Sequence, residues 1–276
     1  MVLKLTLIRL LDFVIFYLNL KYMVKKVYQW AKNRLTPAVF IVVLINVFVA
    51  LLFAVIQLLT NVELQFTFSM YPTYSDDFHV YQLFTFMFVH STDLMHVIMN
   101  VFFILMFAPV MERKLGAAKF ILAYFICAWM GFLFINYSYY KDKSIVEKSI
   151  KAIGIDPRSI PLDNRHVVKL DYLSSLEPEE QNIVRDYNWI TSKSNGASGA
   201  LFGFIVFYLL HNLLNYRKII YLLIGLYLVY DNISLYFAFP RLSDGSVYAH
   251  LGGMFAGLLL TIWFFWNQKK PFLKKE

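Results

Sequence analysis

Long apolar stretches separated by polar segments dominate the chain. Six of these stretches are 18–23 residues long, enough to cross the roughly 30 Å hydrocarbon core of a bilayer as helices. They cover residues 37–59, 93–110, 117–139, 196–216, 218–239 and 246–266. The pattern predicts an all-α, polytopic integral membrane protein, a bundle of six transmembrane helices with both termini on one side of the membrane.

The two ends of the chain do not follow the spanning pattern. The first twenty residues are apolar but are interrupted by Lys4, Arg9 and Asp12. We expect them to form a helix that lies in the cytoplasmic interface, with a seventh span as the alternative. The chain therefore divides into an N-terminal segment, a six-span core and a basic cytoplasmic tail, over residues 1–36, 37–266 and 267–276.

Residues 141–194 form a polar insertion between the third and fourth stretches. The insertion carries nine basic and nine acidic side chains. It is far longer than an ordinary connection between two helices, so we expect it to be either partly folded or a flexible cap. It would lie on the outer side of the membrane, directly before the fourth stretch.

The basic residues are concentrated at one end of the predicted helices. The chain is 59% hydrophobic and 16% charged, with a net charge of +8. Sixteen of its 26 basic residues precede the first stretch, follow the last or lie in the two loops on that side, whereas the first loop on the other side has three acids and no Lys or Arg. This bias predicts cytoplasmic termini. The same bias accounts for the net positive charge, so the charge does not indicate a nucleic-acid partner. We expect a multi-pass protein of a bacterial inner membrane.

Two residues suited to acyl-transfer chemistry lie at the same predicted depth. Ser198 lies near the outer end of the fourth stretch and His250 near the outer end of the sixth. A serine hydroxyl is a weak nucleophile until a base removes its proton, and histidine is the usual base near neutral pH. Each residue is accompanied by a pair of glycines that would let two membrane helices approach closely. These pairs are Gly199 with Gly203, and Gly253 with Gly257.

Each of these features has an ordinary structural interpretation when taken alone. Glycine pairs in membrane helices usually serve packing, and a serine in a span usually bonds its own backbone. An ionisable side chain in a span is costly, however, and is usually functional or paired. The matched depth of Ser198 and His250, together with the matched glycines, favours catalysis over packing.

The second stretch offers donors for a developing oxyanion. His96 and Asn100 are one helical turn apart on one face, and both can donate hydrogen bonds. The main-chain N–H of Ser198, at the start of a helix, would be a further donor. A metal site of His90, Asp93 and His96 is the alternative, but a six-residue step does not put both imidazoles on one helix face. We expect neither a metal nor a cofactor.

In combination these motifs resemble the rhomboid intramembrane serine proteases, over roughly residues 37–266. The matching motifs are Gly196-Ala197-Ser198-Gly199, His96-xxx-Asn100, Ala249-His250-xx-Gly253-xxx-Gly257 and Glu112-Arg113-Lys114-Leu115-Gly116. The resemblance implies that Ser198 is the nucleophile and His250 the base of a dyad without a third acid. It also implies oxyanion support from His96 and Asn100, and cleavage of transmembrane protein substrates within the lipid bilayer.

The chain departs from the family pattern at several positions. Where the family commonly carries Trp-Arg in the first outer loop, this chain has Tyr81 and Gln82. His90 and His96 are six residues apart, whereas the family spacing is usually five. Phe202 replaces a frequent Tyr four residues after the serine.

Two other functions remain to be weighed against proteolysis. One is a catalytically silent rhomboid-like protein that acts as a membrane chaperone or sorting factor, and such relatives typically lack Ser198 or His250 equivalents. The other is a transporter, which the absence of an internal repeat and of paired broken helices disfavours.

Overall fold

The computed structural model describes residues 34–90, 94–163, 167–191, 193–238 and 245–269, together with residues 22, 25, 26 and 29. Its described part contains six long helices, α1 (Pro37–Thr60), α2 (Leu94–Leu115), α3 (Ala117–Ala152), α4 (Ser198–Tyr216), α5 (Ile219–Ala238) and α6 (Gly245–Lys269). Short α-helices lie at Leu64–Phe68, Gln82–Thr85, Leu170–Ser174, Pro178–Arg185 and Tyr187–Thr191, and 3-10 turns at Phe86–Phe88 and Pro157–Ser159. Apart from two isolated β-bridges, the regular structure of the described residues is helical, as predicted.

Five of the helices in the described chain are long and apolar enough to cross a membrane. They are α1, α2, α3, α4 and α6. In α5 the apolar stretch found among the described residues, Ile219–Asp231, is shorter. The described residues therefore give five candidate spans where the sequence predicted six. The predicted interfacial helix of residues 1–20 and the end of the basic tail, 270–276, lie outside the described residues.

A carboxylate on α2 caps the start of α1. Glu112 accepts hydrogen bonds from the main-chain N–H groups of Ala38 (3.0 Å) and Val39 (2.8 Å) and from the hydroxyl of Thr36. A negative charge at a helix N-terminus is favourable, and three donors offset the cost of burying it. Glu112 is thus a structural link between the first two spans.

The turn between α2 and α3 is one residue long, and α3 extends well past the predicted span. Gly116 makes the turn with φ +81°, a left-handed conformation that glycine adopts without strain. The helix α3 ends at Ala152, not near residue 139 as predicted. Its 36 residues span about 54 Å, longer than a bilayer core, so its last turns project beyond the bundle. The extension persists because Val146 and Ile150 are buried against later residues of the insertion, from Ile160 to Ile190.

The insertion is folded around its own apolar core. We refer to the described parts of residues 141–194 as the cap. The buried residues of its core are Val146, Ile150, Ile160, Val168, Leu173, Val184 and Ile190. The sequence left open whether the insertion is partly folded or a flexible cap, and the structure shows a folded insertion.

The helix α4 lies at the centre of the bundle. It packs against α2, α3, α5 and α6. In the apolar 18-residue stretch of α4, 56% is buried inside the protein, compared with 17% for the corresponding stretch of α1. Ser198 thus begins a helix that packs against four others, which places its surroundings under tight packing constraints.

Candidate active site

Ser198 is the first helical residue of α4 and is partly buried. The first four N–H groups of a helix have no partner within the helix, so the helix start presents free donors around this side chain. Two residues earlier, Gly196 has φ +99°, a conformation that a residue with a side chain rarely adopts. The small residues before the serine therefore make a sharp turn into the helix.

The loop before Ser198 is fixed to the first interhelical loop, residues 61–90. Ser194 and Met70 exchange two main-chain hydrogen bonds of 2.8 Å. The N–H of Gly196 donates to the carbonyl of Phe86 at 2.9 Å. The side chain of Asn195 also donates to the hydroxyl of Ser69 at 3.2 Å. These bonds hold the backbone that leads into the serine helix.

The two predicted glycine pairs pack directly against each other. A side chain on Gly253 would overlap the carbonyl oxygen of Gly199, and a side chain on Gly257 would overlap that of Gly203. The backbones of α4 and α6 are therefore in contact along two turns. The predicted close approach of these helices is confirmed.

This contact brings the surroundings of Ser198 and His250 together. A methyl group on Gly199, the residue after Ser198, would lie 3.4 Å from the carbonyl oxygen of Ala249, the residue before His250. The ring of Phe202 stacks on the imidazole of His250, with centroids 3.9 Å apart and planes inclined by 23°. Ser198 and Phe202 are one turn apart and share a helix face. The imidazole thus lies against the face of α4 that carries the serine.

A second backbone contact, which sequence reasoning missed, holds α6 against α3. A side chain on Gly252 would overlap the carbonyl oxygen of Met130, and a methyl group on Gly131 would lie 2.9 Å from that of Ala249. Gly252 and Gly253 thus face two different helices. The sequence did contain a signal for this second contact. Close approach to one neighbouring helix needs only one glycine, so the pair Gly252-Gly253 after His250 indicates two neighbours.

His96 lies against the turn that leads into Ser198. A methyl group on Gly196 would lie 3.3 Å from both Cε1 and Nε2 of the His96 ring. The glycine is required here both by its positive φ and by this ring. His96, one of the predicted oxyanion donors, thus lies next to the loop that leads into Ser198.

Asn100 lies one turn further along α2, which packs against α4. Its side chain is 4% exposed, and its Nδ2 has no hydrogen-bond partner among the described residues. A buried amide donor without a partner costs about 1–3 kcal/mol, so such groups are usually retained for a reason. Asn100 is thus an available donor in the interior of the bundle.

His90 precedes α2 and supports His96. The two rings lie 5.3 Å apart at 76°, and His90 Nδ1 is 3.1 Å from the carbonyl oxygen of Phe88. Burial, followed by the charge of His96, lowers the pKa of His90 to about 4 against the opposing effect of the Phe88 bond. His90 is therefore neutral at pH 7 and donates through Nδ1. Within the described residues no three His, Cys, Asp or Glu side chains are grouped to hold a metal, and Asp93 lies outside those residues.

Gln82, at the position where the family commonly has Arg, organises the first interhelical loop. Its Oε1 accepts from the N–H groups of Tyr71 (3.4 Å) and His79 (3.2 Å). Its Nε2 donates to the carbonyls of Asp77 (2.9 Å) and Thr67 (3.3 Å). The side chain is 1% exposed. The departure from the family pattern at this position was the only sequence signal, and it did not reveal this role.

Comparison with known protein families identifies the family of the chain. The Rhomboid domain matches residues 77–154 and 179–267. The match covers more than half of the chain, which belongs to the rhomboid family. The interval between the two matched segments falls within the cap. No curated protein and no solved structure was found to match.

Proposed function

We propose that the protein is an intramembrane serine endopeptidase that cleaves peptide bonds in or near the transmembrane segments of other membrane proteins. Rhomboid proteins are in general intramembrane serine proteases, although inactive members exist. The observation that carries the proposal is the stacking of His250 on Phe202, one turn from Ser198 on the same face of α4. In this proposal Ser198 is the nucleophile and His250 the base.

The reaction follows the usual two stages of serine hydrolysis. His250 takes the proton of Ser198 as the oxygen attacks the scissile carbonyl carbon. It then gives that proton to the departing amine when the peptide bond breaks, which leaves an acyl-enzyme. His250 next takes a proton from water, the hydroxide attacks the ester, and Ser198 regains its proton. Phe202 holds the imidazole plane throughout.

The negative oxygen of each tetrahedral intermediate needs donors. The N–H of Ser198 and the side chains of His96 and Asn100 are the candidates. The contact of His96 with Gly196 and the lack of a partner for Asn100 Nδ2 among the described residues support this assignment. Because a substrate helix sequesters its carbonyls in backbone hydrogen bonds, we expect substrates with small or helix-weakening residues near the cut.

The topology we propose has six spans, with α5 as the fifth span and both termini in the cytoplasm of a bacterial cell. The positive-inside distribution supports this orientation. It puts Ser198 and the cap on the outer side. Reporter fusions at the tail and in the cap test it: a cytoplasmic reporter should be active only on the tail, and the reverse pattern would overturn the orientation.

Labelling with a fluorophosphonate probe separates the protease from a silent rhomboid-like chaperone or sorting factor. The purified protein should be labelled and should cleave a model transmembrane substrate, and Ser198→Ala should abolish both activities. Ser234→Ala on α5 is a matched control that should retain both. Wild-type protein that gives neither signal, where an active rhomboid gives both, would favour the silent alternative.

A further inference from the structure

A cleft of about 480 Å³ lies at the end of the bundle opposite Ser198. It is bounded by the end of α2, the start of α3 and the end of α6. Its polar lining comprises Lys114, Lys119, Asn267 and Gln268, and Trp263 forms an apolar wall. The one-residue turn at Gly116 separates the helices that carry Lys114 and Lys119, and both side chains line the cleft.

The positive charge of the cleft is not neutralised within the described chain. The salt bridge found among the described residues joins Lys143 to Glu147 in the cap, away from the cleft. Neither Lys114 nor Lys119 has an acidic partner among the described residues. Glu112, the nearest acid along the sequence, is occupied by the N-terminus of α1. Two cations beside two amide side chains therefore favour an anion in the cleft.

The position of the cleft indicates the source of that anion. The helices α2, α3 and α6 are all candidate spans, so their ends lie at the level of lipid headgroups. Trp263 is 46% exposed, and Ile262 and Trp266 beside it are 55% and 67% exposed. Tryptophan is enriched at the membrane interface, and basic pockets between spans bind anionic headgroups. The apolar wall would accommodate the glycerol and upper acyl chain, which a free phosphate lacks.

We infer that this cleft binds the phosphate of an anionic phospholipid of the phosphatidylglycerol class. Lys114 and Lys119 contact the phosphate oxygens, Asn267 and Gln268 donate to the headgroup, and Trp263 packs against the glycerol. Lys119 Nζ lies 5.7 Å from the centroid of the Trp263 ring, so the cationic and apolar parts of the site adjoin. The site is remote from Ser198 and does not depend on proteolysis.

Native mass spectrometry of the full chain in detergent, titrated with phosphatidylglycerol, tests this site. The double variant Lys114→Gln/Lys119→Gln should bind the lipid about fivefold more weakly for each lysine removed. The matched control is Lys148→Gln/Lys151→Gln, which removes two exposed lysines at the other end of α3 and should leave binding unchanged. Labelling of Ser198 should be the same in all three proteins, which separates this test from that of the protease.

Three results would overturn the inference. An equal loss in the control variant would mean that overall charge, not this cleft, attracts the lipid. Equally tight binding of phosphatidylcholine would remove the requirement for an anionic headgroup. Competition by glycerol phosphate at the same concentration as the lipid would identify a site for soluble phosphate instead. Circular dichroism of the variants checks that each protein is folded.

Discussion

Phe202 stacks on His250 with ring centroids 3.9 Å apart. The contact joins α4 to α6 one turn below the serine. An aromatic pair of this kind contributes about 0.5–1.5 kcal/mol beyond its buried area. It therefore restricts the imidazole to the orientation in which it faces the helix that carries Ser198.

Replacement of Phe202 tests whether this stacking positions the base. Phe202→Ala should lower kcat by about two- to tenfold, because the imidazole gains freedom, with little change in KM. Phe202→Tyr keeps the ring and should retain activity. The rates are measured by cleavage of a model transmembrane substrate at saturating concentration. Unchanged kcat in the alanine variant would mean that other contacts orient His250.

Gly253→Ala should destabilise the bundle, because the added methyl group would overlap the carbonyl of Gly199 and push α6 away from α4. Overpacking of this kind typically costs about 1–3 kcal/mol. The measurement is thermal unfolding in detergent. Gly225→Ala is the matched control: its methyl group would meet only the Leu209 side chain, at 3.8 Å. The packing argument fails if both variants unfold at the wild-type temperature.

Acidification should destabilise the protein through His90. Its pKa is about 4 in the folded state against 6.5 in an unfolded chain, so the unfolded state binds the proton more readily between these values. Above pH 6.5 His90 therefore does not lower the free energy of unfolding. As the pH falls to 4, it lowers the free energy of unfolding by about 3 kcal/mol. Unfolding measured across this range should show a shallower dependence on pH for His90→Gln than for wild type. Parallel curves for His90→Gln and wild type would contradict this prediction.

Gln82→Ala should loosen the first interhelical loop, because four main-chain groups lose their partner and the side chain is fully buried. Unsatisfied buried groups and a cavity together predict a loss of about 1–3 kcal/mol. Limited proteolysis should cut the loop of residues 61–90 faster than in wild type. The control Gln57→Ala, on the half-buried face of α1, should not change the rate at which this loop is cut. If the loop is cut equally fast in the two variants, Gln82 does not have this structural role.

Much of the architecture could be predicted because helical periodicity and apolar length are local properties. The stretches predicted to begin at residues 37 and 196 correspond to α1 and α4, which begin at Pro37 and Ser198. The common depth of Ser198 and His250 follows from their place in two apolar stretches. The glycine spacing also identified which faces of α4 and α6 could meet.

Other features depend on contacts between distant parts of the chain. The extension of α3 to Ala152 could not be read from its polar sequence, since its stability comes from apolar residues of the cap that are buried against it. The role of Gln82 depends on how the loop folds back on itself.

The sequence alone determined that this protein is helical and membrane-spanning, and that a serine and a histidine lie at one level of two helices. The surroundings of these two residues depend on how the helices pack. This packing brought His96 against Gly196, turned Gly252 towards α3 and Gly253 towards α4, and stacked His250 on Phe202. Hydrophobicity sets the depth of each residue within its own helix. The rotation and separation of the helices, in contrast, result from close packing between segments far apart in the chain.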